Sequence, residues 1–237
     1  MANHRIITVE EHADLRIRTD GDAGPGDHIM TCLVVPAEFR QVQSEYPILF
    51  RRNVELDGFT ALALFGFENG ENLFLEDGRW DANARPLAME IQPFLIGSPD
   101  GEGQKQVHID MDSPRIGQAE GTRVFDEHGR PTPYFEDIID KLGSLDEGYG
   151  ESGAFFAALD RYQLLEPMSL EITLDDGSTN RLVGFHVIDE ERLQALHAEA
   201  LGELHEAGQL MPIFMAVASL GNLSRLIARK NRKVQGG

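Results

Sequence analysis

Cysteine is nearly absent: Cys32 stands alone, so neither an internal disulfide nor a cysteine-based metal cluster is available. Thr31, Leu33, Val34 and Val35 surround it, the setting of a buried structural thiol. The nearest histidine in sequence is His28, which leaves a Cys–His nucleophile pair as the alternative. Basic residues are scarce: 21 Lys and Arg stand against 40 Asp and Glu, a formal net charge of -19. Non-specific binding to nucleic acid or anionic lipid needs basic surface, so the charge argues against both. No unbroken apolar run approaches the roughly 20 residues of a membrane-spanning helix, and no membrane insertion is expected. The N-terminal M-A-N-H-R-I-I-T-V-E-E-H-A-D has no apolar core of a secretory signal, and the expected location is the cytoplasm.

Several motifs are also missing. No G-x-S-x-G elbow occurs, and Ser219 in A-S-L-G-N reads as a helix cap rather than a nucleophile. Neither a Walker-type loop nor a strand-linked G-x-G-x-x-G is present, and Gly101 and Gly103 sit among Asp100 and Glu102, which repel phosphate. The acidic clusters at Glu10-Glu11, Glu76-Asp77, Asp175-Asp176 and 189–191 lack calcium-loop spacing and read as solvated turns and caps.

What is present is a core. Apolar residues make up 41% of 237. Their densest stretch, residues 46–97, holds the only tryptophan, Trp80. Strand patterns occur at 29–35, 48–50, 60–67 and 73–75, with turns at Asn69-Gly70 and Asp77-Gly78, which predicts a three-stranded meander ending near Trp80. Further strands are expected at 94–96 and at 106–112 by alternation. Thr132 and Pro133 open a helix carrying Phe135, Ile138, Ile139 and Leu142 inward. Glycines at 148–153 predict a break, after which Ser152 caps a second helix with Phe155, Phe156, Leu159 and Tyr162. A hairpin over 168–188 turns at Asp176-Gly177. Asp189 caps a helix using Leu193, Leu196, Ala200 and Leu204 and ending at Gly208; residues 219–230 form the last helix.

The fold class read from this order is α+β: a mixed or mainly antiparallel sheet with helices packed on it, more helical in its C-terminal half. The expected organisation is a flexible lead-in at 1–28, one domain at 29–230 with a sub-boundary near 113–131, and a disordered tail at 231–237.

Two constellations carry chemistry. His108 and Asp110 lie two apart on a strand and share a face; with His186 on a later strand they would form the two-histidine, one-carboxylate set of a non-haem iron oxygenase. Arg192, the candidate for binding a 2-oxoglutarate carboxylate, falls on an expected helix rather than a strand. The bland alternative is a solvated strand face. Trp80 and Phe94 mark a second candidate, a pocket for a small ligand. The basic run Arg225, Arg229, Lys230, Arg232 and Lys233 suits the C-terminus of a helix, with docking of an acidic partner as the alternative.

The chain also resembles the SapC family of bacterial proteins. The resemblance rests on Y-P-I-L-F at 46–50, G-F-E-N-G-E-N-L-F at 66–74, D-G-R-W-D at 77–81, Q-P-F at 92–94 and F-D-E-H-G-R-P-T at 125–132. It continues through the L-L-E-P and L-D-D-G segments, I-D-E-E-R-L at 188–193 and S-L-G-N-L at 219–223. It implies an accessory or interaction protein, associated with a surface-layer system or encoded near TonB-dependent receptors, flavin-dependent halogenases and iron-dependent hydroxylases. A modifying enzyme is the implied partner. No catalytic residue is carried over.

Overall fold

The computed structural model describes residues 3–19, 27–53, 58–97, 105–117 and 120–236. The chain divides into two discontinuous compact units. The first comprises Met1–His28, Leu75–Trp80 and Leu87–Glu147; the second comprises Ile29–Phe74, Asp81–Pro86 and Gly148–Gly237.

In the first unit, β1 (His4–Ile6) pairs antiparallel with β9 (Gln106–Asp110), which also pairs with β8 (Phe94–Gly97). The short strand β2 (Arg16–Ile17) lies between β10 (Ile116–Gly117) and β11 (Thr122–Arg123). Helix α1 (Val9–His12) is capped by the Thr8 hydroxyl. Helix α3 (Leu87–Glu90) precedes the cis Gln92–Pro93 peptide. The hairpin β6 (Leu75–Glu76) and β7 (Arg79–Trp80) turns through Asp77 and Gly78, both at positive φ. The core gathers Ile17, Phe94, Ile109, Phe125, Phe135 and Leu142.

Residues 3–19 therefore depart from the expected flexible lead-in, because β1, α1 and β2 each find partners. Asp27 is only 1% exposed and accepts two hydrogen bonds from Arg115 Nη2, at 2.6 and 2.8 Å. Residues 20–26 of that lead-in lie outside the described residues.

Among the described residues, the main sheet of the second unit has five strands in the order β12-β13-β4-β5-β3. These are β3 (Thr31–Val34), β4 (Ile48–Asn53), β5 (Gly58–Leu64), β12 (Leu165–Thr173) and β13 (Thr179–Ile188), antiparallel at every pairing. Strand β5 is interior, as its two apolar faces require, but its neighbours are β3 and β4. The expected meander into residues 73–75 does not form: Leu73 N–H donates one bond to the Phe65 carbonyl, and among the described residues β6 pairs with β7 alone. Gly184, at φ +80°, sits where the register of β12 and β13 shifts.

Helix α4 (Pro133–Arg161) is continuous for 29 residues, with Thr132 as its cap. The expected break at 148–153 is absent. Gly148 is needed there because an added Cβ would stand 2.7 Å from Val35 Cγ2. The Ser152 hydroxyl donates to the Gly148 carbonyl at 2.7 Å within the helix instead of capping a new one. Ile139, expected inward, is 37% exposed.

The helix expected after Asp189 is two helices, α5 (Glu190–Gln194) and α6 (Ala198–Glu206). Asp189 caps α5, and His197 Nδ1 accepts from the Ala200 N–H to cap α6. Gly208 closes α6 at φ +70°. Helices α7 (Leu210–Ser219) and α8 (Asn222–Gly236) follow, and α8 takes in most of the expected disordered tail, residues 231–236. Together with α2 (Phe39–Val42), α7 packs against the sheet through β4 and β13.

The motifs that carry the resemblance are fittings of this architecture. The Ser219 hydroxyl, fully buried, accepts from Ile48 N–H at 2.8 Å and donates to the Ala216 carbonyl. Asn222 donates to the Gln43 carbonyl. In the loop after β5, Glu68 and Glu71 receive Lys230 Nζ at 2.9 and 2.8 Å, and Glu71 also accepts from Phe67 N–H. Lys230 and its hydrogen bonds hold the Glu68 carboxyl below its usual range, with Asn180 adding to the effect. Arg229 pairs with Asp81 at 2.6 Å and lies over the Phe74 ring. Asp126 accepts from the backbone of His128 and Arg130 and thereby shapes the loop that leads into α4.

Candidate functional site

A cleft of about 660 Å3 opens within the second unit, between strands β3 and β5 and the glycine-bearing part of α4. The sheet supplies Leu33, Val34, Phe59 and Ala61, and β4 supplies Arg52. The helix supplies Tyr149, Gly150, Gly153, Phe156, Ala157 and Asp160. Residues 150, 153 and 157 recur at three and four, so they share one helix face. That spacing is the sequence signal for a helix wall with little side chain, and it accounts for glycines where a break is expected.

Register fixes which groups meet here. Arg52 opposes Phe59, and Phe50 opposes both Ala61 and His186. Directly opposed residues share a face, as do residues two apart on one strand. Arg52, Phe59, Ala61 and His186 therefore lie on the face that Phe50 turns to Phe155 and Phe156 of α4. The His186 imidazole meets the Phe59 ring edge-on at 4.9 Å. Its Nδ1 is buried without a hydrogen-bond partner among the described residues. Burial, and secondarily the Arg52 charge, lowers the pKa of His186, which favours the neutral ring.

The two cleft hydroxyls with described bonds, Thr60 and Ser152, donate to the carbonyls of Arg51 and Gly148. Neither is bonded to a histidine there, and Arg52, Tyr149 and Asp160 are the other polar side chains that line the cleft. Cys32 is 4% exposed, and burial together with the Glu38 charge pushes its thiol up, away from the reactive thiolate.

The residues expected to form sites are placed as follows. His108 and Asp110 share β9 in the first unit, whereas His186 lies on β13 in the second. His108 lies over Gly97, where an added Cβ would come within 2.7 Å of Nε2, and that nitrogen is buried without a described partner. Asp110 accepts from Asp112 N–H. Among the described residues, no group of three or more His, Cys, Asp or Glu is arranged to hold a metal ion. Arg192 donates to the Gln163 side chain and pairs with Asp189. Trp80 is half-buried in the β6–β7 hairpin, and Phe94 is buried in the first core against Phe135 at 5.3 Å.

A second surface was also missed. Helix α7 buries Ile213, Ala216 and Ser219 but leaves Met211 and Phe214 59% and 53% exposed. They line an open hollow of about 480 Å3 with Gln43, His205, Leu210, Met215 and Ala218. By length and composition, Leu210–Gly236 also qualifies as one candidate membrane span, which the count of unbroken apolar residues did not reveal. Core helices pass the same test, and here Arg225, Arg229 and Lys230 are paired with Glu45, Asp81, Glu68 and Glu71.

Compared with known proteins, the chain matches the family model described as SapC over residues 7–226. No curated protein and no solved structure matches it significantly.

Proposed function

This chain belongs to the SapC family, and from that premise we infer that it is a cytoplasmic accessory protein that works by binding a partner protein. The partner is a modifying enzyme of a surface-layer, TonB-dependent uptake or halogenase and hydroxylase gene system. The observation that carries this reading is the outer face of α7, where Met211 and Phe214 are more than half exposed. Contiguous exposed apolar surface marks interaction sites, and methionine adapts to the shape of what it receives.

Among the described residues the hollow has no acidic lining, although the chain carries a net charge of -19. Gln43 and His205 border it, and the adjoining hollow, which shares Leu210, Met211 and Met215, is lined by both Arg40 and Glu151. This suits an amphipathic helix with its apolar face laid on α7.

Co-expression with the products of adjacent genes tests the reading. A stable complex should form with one modifying enzyme, and the Met211→Glu, Phe214→Glu double variant should lose it while keeping its melting temperature. Absence of any complex, or self-association through the same face, would sink the reading.

A further inference from the structure

Thiol and thioether sulfurs are side-chain groups that peroxides oxidise, and the fold exposes them unevenly. Of the described methionines, Met89 is fully buried, and Met30, Met111, Met168 and Met215 are half-buried. Met211 alone among them is exposed, with 59% of its surface open. Cys32 is enclosed, and its raised pKa keeps it from the thiolate form that oxidants attack. Among the described residues, the sulfur that solvent reaches most freely therefore sits on the outer face of α7.

Its surroundings give that exposure a consequence. Met211 lies in the first turn of α7 and Met215 one turn later, and both line the two adjoining hollows. The side chains that α7 buries are Ile213, Ala216 and Ser219. Phe214, three residues after Met211, is 53% exposed beside it. An oxygen added to the Met211 sulfur therefore meets solvent, takes nothing from the core and changes only the outer face.

We propose that Met211 is a site of reversible oxidation by hydrogen peroxide, and that its sulfoxide abolishes the apolar character of the outer face of α7. In this step the thioether lone pair attacks one peroxide oxygen. The S–O bond forms as the O–O bond breaks, and the departing hydroxide takes the proton of the transferred oxygen and leaves as water. Sulfur loses two electrons and the peroxide gains them. The sulfoxide is polar and chiral where the thioether was apolar and adaptable. A sulfoxide reductase supplied with a dithiol restores the thioether, releasing water and a disulfide. The effect on a partner rests on the reading of α7 as a docking face, whereas the oxidation itself does not.

Peroxide treatment of the full chain, followed by peptide mass mapping and by retention on a phenyl-agarose column, tests the proposal. Met211 should be oxidised about tenfold faster than Met89, and ahead of Met30, Met111, Met168 and Met215. Retention should fall with the same time course while the melting temperature stays unchanged. Met211→Gln should reproduce the lower retention without peroxide. Met211→Leu should keep the retention of the original chain and hold it through the treatment. The proposal is overturned if one of the other five methionines reacts first, if retention holds after Met211 is converted, or if Met211→Leu loses retention equally. A chain whose Met211 oxidises in this way but that forms no complex on co-expression removes the accessory reading and leaves the oxidation site standing.

Discussion

The two units are held together by different means. The first has short strands, a small core and an ion pair in which Asp27 is almost fully enclosed. The second has a five-stranded sheet, and its long-range ties combine the buried Ile48–Ser219 hydrogen bond with ion pairs from Arg229 and Lys230 near the chain's end. It also leaves apolar surface open, in the cleft and on α7. The unit with the larger sheet can keep a cavity and an uncovered helix face. In the first unit, the aromatic side chains Phe94, Phe125 and Phe135 are packed against one another.

The largest expected effect falls on the first unit. Arg115→Ala removes the two hydrogen bonds that Arg115 Nη2 gives the buried Asp27 carboxylate, and should destabilise that unit by about 1.5–3 kcal/mol. Trp80, the only tryptophan, belongs to the same unit and reports its unfolding in urea. The contrast sharpens if the Trp80 transition moves to lower urea ahead of the far-UV circular dichroism transition. Coincident transitions would erase it.

The second unit should yield to Ser219→Ala. The Ile48 N–H then loses its acceptor in a buried setting, at a cost of about 1–3 kcal/mol. The urea midpoint by circular dichroism should fall, and an unchanged midpoint would remove this tie from the account.

A smaller effect has opposite signs within one helix. Gly153→Ala should stabilise by about 0.5–1 kcal/mol, because its Cβ enters open space. Gly148→Ala should destabilise, because Val35 blocks the same atom. Thermal melts of the two variants that shift in the same direction would contradict the cleft's construction.

The smallest effect is the pH dependence of His186. Its folded pKa lies below the ordinary value of 6.5, so the unfolded chain takes up the proton first as pH falls. The second unit should therefore hold its full stability above about pH 6.5 and lose some below it. His186→Gln should remove that loss. Melts across pH 5 to 8 that show no difference between the two proteins would leave burial of the ring without consequence.

Parts of this fold were legible in the residues alone. The alternation over 168–188 with Asp176-Gly177 between gave the β12–β13 hairpin, and Thr132-Pro133 gave the start of α4. Asp189 gave a true cap. What stayed hidden depended on tertiary partners. Glycines at 148, 150 and 153 read as a break because local propensity cannot know that Val35 sits against one of them and a cleft against the others. His197 gives no sequence signal of a cap unless its ring is seen to accept from Ala200. Strands β1 and β2 are too short to show a period and exist because β9, β10 and β11 pair with them. The cleft shares this history: Arg52 and Phe59 become neighbours of α4 only through strand register. His108 and Asp110 were correctly placed on one strand, but residue spacing could not reveal that His108 lies over Gly97 while His186 belongs to another unit.

The bond between Glu71 and Lys230 spans 159 positions, and that between Ile48 and Ser219 spans 171. Synthesis at about 5–20 residues per second therefore separates the members of each pair by roughly 10–30 s. Throughout that interval a nascent chain carries β4 without the hydroxyl that accepts from Ile48, and the loop after β5 without its lysine. The second unit is thus completed by nearly the last of its residues to be made, and a ribosome stalled before residue 219 would display the unfinished sheet to whatever chaperone is nearby.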